Sequence, residues 1–282
     1  MNKRVTIIAV MFLAVSSFCL AGTCKTKHRS SCPKTCQKSS AASKNTSPDK
    51  KQAPKKGKLD DILSRLTKQT GNLKSYEAKI EYLFIQDPEL LDSKTLRKGR
   101  LYYKKDKAGS KLRVNFNTLK QDDADEEKHV EQFIFDGIWL TRIDYQLEKV
   151  DFYQQAEEDK PIDVFEFISH RFPMVGFTKI EHLHKQFEIT PIPQKQVKSC
   201  NFIGLRLKIN KGSIYEDNYK TIDVWIDDKS FLPAILLATS TEGDIYDIQL
   251  RDIKVNKKLK NTVFKVETPK HFSKNRESLK KK

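Results

Sequence analysis

Alternation of apolar and polar side chains is the feature that most constrains the fold of this chain. From residue 76 to residue 84, the apolar side chains of Tyr76, Ala78, Ile80, Tyr82 and Phe84 take every second position. A period of two is typical of a β-strand with one buried face. Similar strand signals follow at 101–103, 112–116, 133–140, 147–153, 187–189, 202–209, 221–227, 233–239, 244–253 and 263–266. Within 133–140, the pair Asp136-Gly137 predicts a hairpin turn. The pattern therefore predicts about ten or eleven short strands.

Two segments have a helical period instead. Apolar residues recur three and four positions apart within 59–71, which ends at a glycine. A second helix is expected over 161–172, because Pro161 favours a first turn and Pro173 follows the end. Strands joined by tight turns favour one antiparallel sheet, and a long sheet curls because its strands twist. We predict a mainly β fold with helices (α+β), in which a curved antiparallel sheet forms an unclosed half-barrel capped by helices.

The first residues have the order of a secretory signal. Lys3 and Arg4 precede an apolar run over 7–20, and Ala21 ends a cleavage site of small residues. No later apolar run approaches the ~20 residues that a membrane helix needs. We therefore expect an exported, water-soluble periplasmic protein. Lipid attachment at Cys24 is the alternative, because the residues before it resemble an interrupted lipoprotein signal, and an uncleaved anchor is a third interpretation.

The net charge of +16 lies mainly at the two ends of the chain. Residues 1–21, 22–58 and 270–282 carry +2, +10 and +5, which leaves −1 for residues 59–269. A nucleic-acid-binding domain keeps its charge on a folded face. We therefore expect no nucleic-acid partner, and basic ends that meet anionic surfaces. Composition divides the chain into a signal peptide (1–21), a disordered basic linker (22–58), one domain (59–272) and a basic tail (273–282).

Signal cleavage would leave an even number of cysteines, namely Cys24, Cys32, Cys36 and Cys200. Outside the cytoplasm an even count permits disulfides, and four cysteines allow three pairings. Free thiols are an alternative. So is a metal site formed by the first three cysteines with His28, although their spacing matches no familiar zinc pattern. Sequence alone leaves these alternatives open.

No pattern of residues indicates an enzyme or a cofactor site. The chain lacks a Gly-x-Ser-x-Gly elbow, a glycine-rich phosphate loop, a dinucleotide fingerprint and a His-Glu-x-x-His pair. His182 and His184 would share one face of a strand, with His170 nearby, but no carboxylate stands at a fixed spacing from them. We therefore expect surface histidines, no catalytic residue, no metal and no cofactor.

The early strands carry many large apolar side chains on alternating positions. These are the candidate lipid-binding residues: Tyr76, Ile80, Tyr82, Phe84, Leu101, Tyr103, Val114, Phe116, Phe133, Phe135 and Trp139. Such residues form an ordinary core in many proteins. The walls of an apolar ligand hollow use the same residue types in the same alternation. The pattern therefore fits either a core or a binding site.

A series of motifs in a fixed order resembles the periplasmic outer-membrane lipoprotein carriers, the LolA/LolB-like superfamily. The similarity extends over about residues 59–272, and its motifs lie at 73–80, 97–103, 133–140, 226–233, 241–244 and 264–269. The resemblance implies an unclosed antiparallel barrel with a helical lid over an apolar cavity. It also implies a protein that takes lipoproteins from an inner-membrane transporter to an outer-membrane acceptor, without a cofactor or covalent chemistry.

The sequence departs from these carriers at the residues that hold their lid. The carriers have an Arg-Pro pair after the strand that matches 101–104, and that Arg bonds the lid shut, whereas Lys104-Lys105-Asp106 stands here. The same fold also serves envelope regulators. We therefore expect a monomeric carrier or chaperone that binds acyl chains or lipoproteins. The alternative is a regulatory or lipid-sensing module that contacts an envelope membrane protein.

Overall fold

A computed structural model describes residues 56–107, 109–169, 180–193 and 201–279. The predicted signal peptide, nearly all of the basic linker and the disulfide candidates lie outside these ranges, the last being Cys24, Cys32, Cys36 and Cys200. Export, disulfide bonding and lipid attachment at Cys24 therefore stay predictions. No helix in the described ranges is both long and apolar enough to cross a membrane.

Helix α1 (Lys56–Gly71) is the first described element, and it begins slightly earlier than predicted. Its apolar spacing buries Leu63 and Leu66 on one face. On the same helix, the guanidinium carbon of Arg65 lies 3.5 Å from the ring centroid of Phe231, a cation–π contact. The helix is thus held by packing against a distant part of the chain.

In the described ranges, the strands form one sheet of twelve. They are β1 (Ser75–Gln86), β2 (Ser93–Asp106), β3 (Gly109–Gln121), β4 (Glu127–Phe135), β5 (Trp139–Asp144), β6 (Lys149–Gln154), β7 (Phe187–Pro191), β8 (Phe202–Ile209), β9 (Tyr219–Asp227), β10 (Pro233–Ser240), β11 (Ile245–Val255) and β12 (Ser273–Glu277). Their spatial order is β12-β6-β5-β4-β3-β2-β1-β11-β10-β9-β8-β7, so β12 and β7 are the two edges. The sheet is open and its pairs are antiparallel except β12–β6. The predicted fold class is confirmed.

The hairpin between β4 and β5 turns at Asp136 and Gly137, as the sequence predicts. Gly137 has a φ of 104°, which favours glycine. The backbone N–H groups of Ile138 and Trp139 donate to Oδ1 of Asp136 at 2.9 and 2.8 Å. This turn sets the register, which pairs Phe135 with Leu140.

Two short helices lie between β6 and β7 in the part of the chain that the structure describes. Helix α2 (Val164–Ser169) confirms the helix predicted after Pro161, although the predicted end lies outside the described residues. Helix α3 (Ile180–Gln186) replaces the strand position expected for His182 and His184, so that interpretation is wrong. The apolar residues of this short segment, Ile180 and Leu183, are three positions apart, which fits one face of a helix.

The C-terminal segment differs from the prediction in two places. The strand predicted at 263–266 is wrong, because Asn261–Phe264 forms a 3₁₀ helix in which Phe264 is buried. Arg113 holds this segment by donating from Nη1 to the carbonyl of Val263 at 2.8 Å. A strand comes later instead, at β12, within the expected basic tail. All side chains of β12 are exposed, so no alternation could indicate it.

Phe272 anchors the segment that leads into β12. It is buried in a cluster with Ile134, Ile143 and Val150 on the face of β4–β6 away from α2. We expect Phe272→Leu to lower the free energy of unfolding by about 1–2 kcal/mol, because packing around the ring is lost. Urea titration measures this. Leu279→Ala, at a position that is 44% exposed, is the control and should stay within about 0.5 kcal/mol. Unchanged stability of Phe272→Leu would contradict the anchor.

Candidate functional site

The predicted lipid-binding residues lie on β1 to β5, and pairing puts all but one on one face, here called the inner face. Cross-strand partners share a face, and the register joins Tyr76 to Tyr103, Tyr103 to Leu112 and Leu112 to Phe135. Trp139 is the exception. Phe135 pairs with Leu140, so Trp139 lies on the opposite face and its prediction as a lining residue is wrong. The turn between β4 and β5 has three residues (136–138). Leu140, and not Trp139, therefore lies opposite Phe135 and takes the inner position.

An apolar cavity of about 60 Å³ lies between the inner face and α2. Three of the predicted residues, Tyr76, Leu101 and Tyr103, line it together with Leu112 and Leu250. Its other walls come from the end of α1, from α2 and from the start of β10: Thr70, Leu73, Val164, Phe165, Ile168, Leu232 and Pro233. None of these lining side chains is charged. Leu101 and Leu250 are only half-buried, so one side of the cavity borders solvent.

The remaining predicted residues lie on the inner face outside the cavity lining, and they pack against one another. This set is Ile80, Tyr82, Phe84, Val114, Phe116, Phe133 and Phe135, all of them buried. The ring of Phe116 lies 6.3 Å from that of Tyr82 and 6.3 Å from that of Phe133, measured between centroids. Phe135 stacks on Phe167 of α2 at 4.0 Å. In this structure these residues form a core next to the cavity.

Two tyrosine side chains belong to the cavity wall. Tyr76 and Tyr103 are 7% and 3% exposed, and neither hydroxyl has a hydrogen-bond partner among the described residues. Burial raises the pKa of both side chains, and the negative charge of Asp163 raises the pKa of Tyr103 further. Both hydroxyls are therefore protonated at neutral pH and can donate a hydrogen bond.

A buried charge cluster lies on the inner face away from the cavity lining. Oε1 of Glu131 accepts from Nε of Arg142 at 2.6 Å, and Nη2 of Arg142 lies 3.3 Å from Oδ2 of Asp144. Nη1 of Arg97 lies 3.1 Å from Oε2 of Glu131, although the two are not aligned as a hydrogen bond. This cluster was not predicted from the sequence. A charged residue at a position where the alternation calls for an apolar one would have indicated it. Arg97 takes such a position before Leu101, and Glu131 takes one before Phe133.

Helix α2, which covers the cavity, is tied to β2 and β3 at its first residues. Asp163 caps the helix, because its Oδ1 accepts from the N–H of Phe165 at 2.8 Å. Its Oδ2 accepts from Oγ of Ser110 at 2.9 Å and lies 3.1 Å from Nζ of Lys105. The backbone N–H of Val164 donates to Oγ of Ser110 at 2.8 Å. Lys105 on β2 thus contacts the residue that caps the covering helix.

The histidines do not form a ligand set in the described part of the chain. Nε2 of His184 on α3 lies 3.7 Å from Oδ1 of Asp60, and both side chains are about half exposed. His170 and His28 lie outside the described ranges. Within those ranges, no group of three His, Cys, Asp or Glu side chains is placed to hold a metal ion.

Comparison with known proteins gives matches among solved structures, whereas no family model and no curated protein matches the sequence. An uncharacterized conserved protein from Thermus thermophilus is 13% identical with a TM-score of 0.46, and the match covers 78% of this chain and 99% of that one. A LolA superfamily protein from Nitrosomonas europaea is 11% identical with a TM-score of 0.30, over 73% and 97% of the two chains.

A third match is the complex structure of MucA/MucB from Pseudomonas aeruginosa, at 10% identity and a TM-score of 0.42. It covers 74% of this chain but only 61% of the matched chain. The three matched structures are between 10% and 13% identical to this chain. The likeness is one of fold. What the protein does has to be inferred from its own residues.

Proposed function

We propose that this chain is a periplasmic carrier or chaperone that shields acyl chains of lipids or lipoproteins without covalent chemistry. The observation that carries the proposal is the uncharged cavity between α2 and the inner face, with one side bordering solvent. Apolar concave sites with a few polar groups are the sites that hold small ligands. The proposed binding residues are Tyr76, Leu101 and Tyr103, and the neighbouring inner-face residues extend the site if α2 moves.

The proposed mechanism is a physical exchange between two apolar environments. Each CH₂ group removed from water contributes about 0.8 kcal/mol, so a bound acyl chain is strongly held against water. A membrane holds the same chain about as well, so the difference between membrane and cavity is small and transfer stays reversible. A cavity of about 60 Å³ takes only part of one chain. Displacement of α2 would enlarge the space and so favour the loaded state.

The basic ends support the same proposal. Residues 22–58 and 270–282 carry +10 and +5, and anionic lipid headgroups attract clustered Lys and Arg side chains. The secretory signal would deliver the chain to the periplasm, where such headgroups and lipoproteins are present. The carrier would work there as a monomer.

Leu250 offers a direct test of the cavity. It lines the cavity from β11 and is half-buried, so a longer charged side chain can reach solvent without unfolding the domain. We expect Leu250→Glu to weaken binding of the fluorescent methyl ester of cis-parinaric acid by about tenfold or more, because the chain would meet a carboxylate. Leu147→Glu makes the same change at a residue that is 67% exposed and should leave binding unchanged.

Fluorescence titration of both variants, with thermal unfolding of each, completes the experiment. The carrier proposal is supported if the parent and Leu147→Glu bind the ester saturably while Leu250→Glu stays folded and loses binding. No saturable binding of the ester to the parent chain would refute it. A membrane protein that co-purifies in a stoichiometric amount with lipid-free chain would favour the regulatory module instead.

A further inference from the structure

Four hairpin loops meet at the end of the sheet that lies away from the cavity. They are residues 87–92 between β1 and β2, 122–126 between β3 and β4, 210–218 between β8 and β9, and 241–244 between β10 and β11. Antiparallel pairing of these neighbouring strands puts all four loops on one side of the sheet, here called the loop end. The cavity borders the start of β1, whereas the loop end follows its last residue, about 30 Å along the strand.

The loop end exposes large apolar side chains on a fixed backbone. Leu90 and Leu91 are 81% and 63% exposed, and Ile214 is 58% exposed. The N–H groups of Leu90 and Leu91 donate to the carbonyl of Asp87 at 3.0 and 2.8 Å. The N–H of Ile214 donates to Oε1 of Gln186 at 2.9 Å. The turns are therefore closed by hydrogen bonds, and the apolar side chains stand in water as part of the folded structure.

The loops are also bonded to one another. The N–H of Asp87 donates to Oδ1 of Asp244 at 3.0 Å, which joins the leucine loop to the β10–β11 loop. The N–H of Thr241 donates to the carbonyl of Asn218 at 3.1 Å, which joins that loop to the one carrying the isoleucine. The exposed apolar groups thus belong to one continuous surface. Exposed apolar groups grouped on a folded surface mark interaction sites.

The charge of the loop end indicates what kind of partner fits it. The four loops contain eleven Asp or Glu residues and one Lys. Lys94 and Lys98 on β2 pair with Asp92 and Glu126, and the surface keeps a strong negative charge. An anionic lipid surface would be repelled by it. A polypeptide that carries Lys or Arg beside large apolar side chains would be attracted, and its apolar groups would bury the leucines.

We propose that the loop end is a docking surface for a basic, amphipathic segment of a partner protein. The exposed leucines and the isoleucine are the apolar anchors, and the carboxylates around them are the charged rim. The rim attracts the segment over a distance and fixes its orientation, whereas burial of the anchors holds it. This surface is independent of the proposed function, because it lies apart from the cavity and binds protein instead of an acyl chain.

The experiment measures binding of a labelled synthetic peptide of leucine and lysine to the full chain by fluorescence anisotropy. Leu90→Ser combined with Leu91→Ser should weaken binding about tenfold or more, because two apolar anchors are lost. Glu89→Lys combined with Glu242→Lys should weaken binding about tenfold at low salt and less at high salt, since salt screens exposed charges. All four positions are exposed, so thermal unfolding of both variants should match that of the parent.

The controls change the same residue types away from the loop end. Leu279→Ser, at a position that is 44% exposed, and Glu158→Lys, in the exposed loop after β6, should bind the peptide like the parent. Leu250→Glu, which alters the cavity, should also bind it unchanged, so the docking surface and the carrier proposal are tested separately. A peptide of leucine and glutamate should not bind, and one of glutamine and lysine should bind more weakly.

Four outcomes would overturn the docking surface. The first is a parent chain that does not bind the leucine–lysine peptide saturably, and the second is equal binding by the parent and the leucine variant. The third is loss of binding to phosphatidylglycerol vesicles in the leucine variant, which would assign the loops to a membrane. The fourth is self-association of the parent that the charge variant abolishes, measured by analytical ultracentrifugation, which would assign the surface to a second copy of the chain.

Discussion

Replacement of Glu131 by Gln is expected to lower the free energy of unfolding by about 3–5 kcal/mol, because it leaves two buried guanidinium groups without their shared carboxylate. Glu131 is 0% exposed and lies between Arg97, which is 2% exposed, and Arg142. An amide of the same shape keeps the packing but cannot balance the two positive charges. Urea titration at neutral pH, followed by tryptophan fluorescence, measures the loss.

Two further variants separate the charge effect from general damage. Arg97→Met leaves Glu131 paired with Arg142, so it should cost less than Glu131→Gln. Glu188→Gln removes a carboxylate that is 63% exposed and 3.8 Å from Lys208, and should change stability by less than about 1 kcal/mol. If Glu131→Gln proved as mild as Glu188→Gln, the cluster would not be a buried ion network. A larger loss for Arg97→Met would show that Arg97 contributes mainly by packing.

Gly99→Ala is expected to destabilise the sheet by about 3 kcal/mol or more, because no space exists for a methyl group at this position. A Cβ on Gly99 would lie 1.8 Å from the carbonyl oxygen of Asn115 and 2.8 Å from Cα of Phe116, both backbone atoms of β3. The β2–β3 register shifts between Lys98 and Gly99, so the two strands approach closely at this irregularity. To make room for the methyl group, β2 and β3 would have to separate in the middle of the inner face.

Gly71→Ala is the matched control for this prediction. Gly71 is the last residue of α1, and a Cβ there would meet no atom within 4 Å. Its free energy of unfolding should stay within about 0.5 kcal/mol of the parent. Chemical denaturation of the two glycine variants in parallel tests the difference. Equal stabilities would mean that β2 and β3 are further apart at Gly99 than the structure shows.

The strands were predictable because their signal is local. A two-residue period in β1 indicates which side chains face inward. The Asp136-Gly137 pair indicates a turn, whatever the rest of the chain contains. The same locality explains the errors. The segments at 263–266 and around His184 are too short for their apolar residues to distinguish a strand from a helix. No side chain of β12 is buried, so no alternation indicates that strand.

The sequence by itself determined the class of fold, since alternation in strand after strand leaves few arrangements other than a long sheet with one apolar face. Only the tertiary structure decided which inner-face residues border a cavity and which pack as core. Tyr82 and Phe116 pack against each other outside the cavity, whereas Tyr76 and Tyr103 line the cavity beneath α2. The two cases have the same period along the chain. The two sets of residues differ in which distant element of the chain covers them. The covering element is decided by contacts between residues far apart in the sequence.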